Sequence, residues 1–219
     1  MLIMVPRARA FPPYRSTDAE TADPWTLEAR LGLGRVERDG DVNEYTSPLL
    51  RLNLGLPRNV EIVSEFEYRP DEGQVGDAAI GVKWVPYLAT LSVGVETLAL
   101  LPVSTQGGAG VESLLLATWR ERALRVHVNA GGFYDARPDE PESGWKAGTV
   151  AELRLERIRP GVELFARQQV GEPARVLLGP GVIVDFGRFD VRAGLHVGLT
   201  DAAADLTPSL WVTTKLPLR

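Results

Sequence analysis

The feature that most constrains this chain is an apolar period of two, sustained over segments too long for an ordinary soluble sheet. Trp25, Leu27, Ala29, Leu31 and Leu33 alternate with Thr26, Glu28, Arg30, Gly32 and Gly34. A helix would scatter the two sets around its circumference, whereas a strand gives each set one face. The alternation returns in segments 50–56, 60–68, 78–84, 91–95, 124–128, 145–155, 162–166 and 189–199. Segment 111–119 is weaker, with apolar side chains on both faces. Segment 174–185 is interrupted by Gly179-Pro180-Gly181, and 207–216 closes the chain. The pattern predicts about twelve strands (ten if the two weak segments do not pair), each roughly 9–12 residues long. Soluble strands average about 5–6 residues, and tilted membrane-crossing strands need about 9–11.

No run of about 18 apolar residues exists, so the chain holds no candidate transmembrane helix. Only helices and closed barrels satisfy every backbone group in lipid. The expected fold is therefore all-β: an antiparallel up-and-down transmembrane β-barrel. With 219 residues the chain fits one barrel domain, 25–219, after a lead-in, 1–24. Ala8-Arg9-Ala10 reads as the small-x-small end of a secretory signal, so the lead-in is either a signal remnant or an extended N-terminal segment.

Connections and aromatic residues point the same way. Short turns are expected at 57–59, near 86–87, at 120–122, at 157–160 and near Gly187. Longer polar loops fall between them at 38–43, 69–76, 102–110, 135–144, 170–173 and 200–206. Outer-membrane barrels sort their connections this way, with tight periplasmic turns and longer external loops. The expected location is thus the bacterial outer membrane, with both termini periplasmic. Trp25, Trp84, Tyr87, Trp119, Phe186 and Phe189 fall at short-turn ends, and Tyr45, Tyr68, Phe133, Tyr134 and Trp145 at long-loop ends. Rings at both rims make a candidate interface girdle. Trp211, mid-strand on the polar face, does not fit it.

A net charge of −5, with Arg interspersed among Asp and Glu, argues against a nucleic-acid partner. The absence of cysteine excludes disulfides, thiolate metal sites and Cys nucleophiles.

Residues 14–28 (Tyr-Arg-Ser-Thr-Asp-Ala-Glu-Thr-Ala-Asp-Pro-Trp-Thr-Leu-Glu) resemble the opening of the outer-membrane family named for the MetA pathway of phenol degradation, whose members are described as transporters. Residues 76–84 (Gly-Asp-Ala-Ala-Ile-Gly-Val-Lys-Trp) resemble its Gly-Asp-x-x-x-Gly-x-Lys strand, and Gly198-Leu199-Thr200-Asp201 its penultimate hairpin. The resemblance implies an outer-membrane barrel that takes up aromatic or other small compounds. The chain departs from the usual barrel ending, finishing Leu216-Pro217-Leu218-Arg219 without a terminal aromatic.

Neither a catalytic constellation nor a metal or cofactor site is expected, and the chain does not read as an enzyme. His127 and His196 share the polar face but lie on strands that are not neighbours. Gly107-Gly108 and Gly131-Gly132 lack the helix that a phosphate loop requires. The candidate lumen-lining residues are Glu28, Arg30, Arg51, Glu61, Glu65, Glu67, Asp77, Lys83, Glu96, Arg125, His127, Lys146, Glu152, Arg154, Glu163, Arg167, Asp190, Arg192 and His196. Such charges either pair and plug a narrow barrel or line a slim pore. Three functions follow: a narrow channel for small solutes, aromatic or hydrophobic ones among them; a closed accessory barrel that partners a larger membrane complex; and a soluble ligand-binding barrel with the Leu/Val face inside.

Overall fold

The computed structural model describes residues 13–39, 42–46, 49–69, 74–102, 107–138 and 141–218. The signal-like Ala8-Arg9-Ala10 lies outside them, as do the side chains of Tyr45 and Asp77. The described strands are β1 (Thr26–Asp39), β2 (Val42–Thr46), β3 (Leu49–Leu56), β4 (Val60–Arg69), β5 (Gln74–Tyr87), β6 (Leu91–Leu101), β7 (Gly110–Glu121), β8 (Leu124–Asp135), β9 (Glu142–Leu153), β10 (Ile158–Gln169), β11 (Arg175–Asp185), β12 (Phe189–Gly198) and β13 (Leu206–Pro217). From β3 to β13 each strand pairs antiparallel with the next, and β13 returns to pair with β1. β2 and β3 both pair with β1, as two stretches of one barrel strand, so the closed barrel has twelve staves. The β13–β1 pairing closes the sheet on itself.

Both weak segments are full staves. β7 carries Leu114 and Leu116 on its inner face and Leu115 on its outer face, which explains the double-sided apolar pattern. β11 runs through Gly179-Pro180-Gly181 and keeps register with β10 throughout. Turns also sort by parity. At one rim Arg58 and Asn59 both occupy the left-handed region, as a primed hairpin turn requires. The other rim carries the long connections. One expected loop differs: 38–43 is largely strand, because the upper part of β1 pairs with β2.

The outer face is apolar. Leu115 is 70% exposed, and Ile80, Val82, Val93, Val128, Val162, Leu164, Leu195 and Leu210 also face out. The inner face holds the charges. This arrangement overturns the soluble-barrel expectation, which required the Leu/Val face to be interior.

Candidate functional site

The lumen wall is built by strand alternation. Because β-strand side chains alternate between faces, every second residue of each stave points inward. Of the sequence-derived lumen set, Glu28, Arg30, Arg51, Glu61, Lys83, Glu96, Arg125, His127, Glu152, Glu163, Asp190, Arg192 and His196 are buried within the barrel. Glu65, Glu67 and Lys146 are half-buried, and Arg167 is exposed at the long-loop mouth, where it stacks 4.4 Å over the Phe133 ring. Arg154, one residue past the end of β9, is half-buried in the short-turn connection, where its N–H donates to the Ala123 carbonyl at 2.8 Å and its guanidinium lies near Arg125 and Arg159. The wall is also less uniformly polar than alternation predicted. Val63, Ala79, Leu98, Leu100, Phe133, Phe165 and Leu177 are buried on the inner face, and Ala203, in the long β12–β13 connection, packs onto Phe165 and Leu177. Phe133 therefore leaves the girdle. Of the other candidate girdle rings, Trp25, Trp84, Tyr87, Trp119, Tyr134, Trp145, Phe186 and Phe189 are exposed, and Tyr68 is half-buried.

Many wall charges pair with one another. Arg30 bonds Glu28 at 2.7 Å, Arg192 bonds Asp190, and Arg51 reaches from β3 to Glu96 on β6 at 2.8 Å. A fully desolvated charge would be costly, so pairing is what permits their burial.

The central feature was not foreseen. Residues 13–22, expected as a lead-in, lie inside the barrel, and from Ser16 through Ala22 every residue is buried. The segment forms no ladder with any strand; side chains of the wall hold it. Starting near β1 and moving backward along the chain, Ala22 N–H donates to Glu61 on β4, and Ala19 N–H donates to Thr118 Oγ1 on β7 at 2.8 Å. Thr17 is gripped twice by Asn129 on β8. Its N–H donates to Asn129 Oδ1, and Asn129 Nδ2 donates to its carbonyl at 2.7 Å. Arg15 and Ser16 N–H both donate to the Glu163 carboxylate on β10, at 2.8 and 2.6 Å, and His196 Nε2 bonds the same carboxylate at 2.7 Å. The Tyr14 hydroxyl donates to the Gly181 carbonyl on β11 at 3.1 Å.

The segment's own acids meet cations. Lys83 Nζ donates to Asp18 Oδ1 at 3.0 Å and to the Glu20 carbonyl at 3.0 Å. Glu20 Oε1 accepts from Arg120 Nε at 2.7 Å and from Arg125 at 2.9 Å.

Inward glycines make the room. A Cβ at Gly181 would stand 2.7 Å from the Tyr14 ring, and one at Gly194 would stand 2.6 Å from Pro13. Gly148 and Gly161 similarly face Ser16 and the Tyr14 hydroxyl, and Gly55 faces the Ala22 and Asp23 carbonyls. In the sequence Gly181 reads only as part of the Gly179-Pro180-Gly181 interruption. The shared parity of these glycines was the available signal that something lies against the wall. Where Arg15 and Ser16 pass Leu114, Asn129 and Phe165, the cavity left between them measures about 10 Å³, room for at most one water.

No family model matches the sequence, and no curated protein does. Solved structures do match in fold. The NanC porin is similar over 87% of this chain and 100% of its own, at 10% identity and a TM-score of 0.66. The translocator domain of the autotransporter NalP from Neisseria meningitidis is similar over 89% of this chain and 88% of its own, at 11% identity and a TM-score of 0.52. A bacterial polysaccharide outer membrane secretin is similar over 89% of this chain and 100% of its own, at 13% identity and a TM-score of 0.50. The shared property is the closed antiparallel barrel.

Proposed function

We propose that this chain is a bacterial outer-membrane barrel, with its short-turn rim and both termini on the periplasmic side, that admits small solutes through a lumen held shut by its own N-terminal segment. The apolar outer face and the rim aromatics support membrane residence. The porin-like fold supports a channel. The observation that carries the closed-channel reading is how the segment is held. Side chains grip it and no backbone ladder includes it, so it can leave without breaking a stave.

The test is planar-bilayer recording on the full-length protein, with heat-modifiable gel migration as the check of folding. Infrequent openings are expected. A heat-modifiable barrel that stays silent at every voltage refutes the channel. The closed accessory barrel is the second reading, favoured by the occupied lumen. Co-purifying membrane proteins together with that silence would select it.

A further inference from the structure

Each carboxylate of the N-terminal segment is met by cations of the barrel wall. Asp18 meets Lys83, while Glu20 meets Arg120 and Arg125. These three cations come from β5, β7 and β8 and converge near the short-turn rim. Two further guanidiniums, Arg154 and Arg159, lie within electrostatic reach of Arg125. Wall acids flank these cations, Glu61 and Glu96 across the strands from Lys83 and Glu152 across from Arg125, but they are shared: Glu96 also bonds Arg51, and Glu152 lies beside His127 and Arg159, so the cations outnumber them. When the segment withdraws, two negative charges leave this end of the lumen and the cations stay. Above them Leu98, Leu114, Phe133 and Phe165 add apolar surface to the inner wall, beside Asn129 and Lys146.

From this juxtaposition we propose that Lys83, Arg120 and Arg125 form an anion-selecting site of the open channel for small organic carboxylates with an apolar body, and that Asp18 and Glu20 occupy it in the closed state. The inference rests on the channel reading above and names its solute class. A guanidinium pair suits a carboxylate by geometry as well as charge. Charged rings at a constriction select solute by sign. In this view the segment closes the pathway by presenting the groups that the site would bind in a solute.

The experiment uses the full-length protein. Asp18→Asn with Glu20→Gln weakens the segment's hold, so openings become more frequent. The reversal potential under a potassium chloride gradient then reports selectivity, and benzoate is compared with its neutral counterpart benzamide as a blocker of chloride current. The open state is expected to prefer chloride and to be blocked by benzoate alone. Adding Arg120→Gln and Arg125→Gln should abolish both properties. Arg120→Lys with Arg125→Lys should retain the chloride preference. Heat-modifiable migration confirms that each variant is folded. Open channels with no anion preference, or with a preference indifferent to the glutamine substitutions, overturn the anion site and leave the channel standing. A folded Asp18→Asn, Glu20→Gln protein that never conducts overturns both.

Discussion

Asn129→Ala isolates the seating of the N-terminal segment from the integrity of the barrel. Among the described residues the Asn129 side chain bonds only Thr17, donating to its carbonyl and accepting from its N–H, and it is 3% exposed. The backbone of residue 129 remains in register with Leu116 and Gly148 whatever its side chain. A net intramolecular hydrogen bond contributes about 0.5–1.5 kcal/mol, and a buried group left unsatisfied costs about 1–3 kcal/mol. Two bonds are lost, and water entering the space vacated by the amide recovers part of the penalty. The expected loss is then about 2–3 kcal/mol of seating free energy. At about 1.4 kcal/mol per factor of ten, the ratio of released to seated segment rises roughly 30- to 150-fold. Single-channel recording reads this as open probability, while the temperature of the heat-modifiable gel transition stays close to that of the parent. An open probability within about threefold of the parent in a folded variant would show that the segment is no gate, or that this grip does not hold it.

Two further substitutions probe the same model from other directions. Ser16→Cys with Gly148→Cys places Cβ atoms 3.3 Å apart, close to the ~3.5–4.5 Å of a disulfide, in a chain with no other cysteine. Oxidation should abolish openings and a reductant should restore them; undiminished current through the oxidised protein would contradict gating by the segment. Leu115→Arg puts a charge at the middle of β7 on the outer face, where Leu115 is 70% exposed. At the bilayer midplane it should destabilise the inserted barrel by about 2–4 kcal/mol, read as a lowered denaturant midpoint in vesicles. An unchanged midpoint would mean that this face does not meet lipid.

What the sequence made legible follows from which interactions are periodic. Alternation is dictated by the pleat, so the faces of β3 and β12, of 26–32 in β1 and of 78–84 in β5 could be read from the sequence, and Glu61 on β4, Lys83 and Arg192 lie inside. The weak reading of segment 111–119 had a physical cause. Leu114 and Leu116 point inward yet are apolar because they pack against Ala19 of the N-terminal segment together with Val85. A rule of polar residues inside and apolar residues outside has no place for a peptide ligand within the lumen. The same limitation hid the segment itself. Residues 13–23 have no strand or helix period, since their backbone is satisfied by Glu61, Thr118, Asn129 and Glu163 rather than by a ladder. Contacts between an irregular segment and residues 39 to 167 positions away leave no local trace. What remained visible was indirect: inward glycines at 148, 161, 181 and 194, each where the segment passes.

The two kinds of charge pairing in the lumen then do different work. Arg30–Glu28 and Arg192–Asp190 join residues two apart on one strand, and Arg51–Glu96 spans from β3 to β6 across two intervening staves. All three have both partners on the wall, so they persist when the N-terminal segment leaves. Lys83, Arg120 and Arg125 differ, because each donates to an acid of that segment. Withdrawal therefore leaves those three cations without the acids of the segment, and it also takes N–H donors from the Glu61 and Glu163 carboxylates, which keep Asn53 and His196. The Arg51–Glu96 bridge, held at 2.8 Å, keeps part of the cross-section occupied in either state. The opened pathway is thus the space the segment vacates, bounded by the glycine track on one side and by this bridge on the other. A pathway of that width suits solutes about as slender as the extended peptide it replaces. The sector that loses the segment's two carboxylates, around Lys83, Arg120 and Arg125, is positively charged. The same geometry therefore confines both the size and the charge of what the barrel would admit.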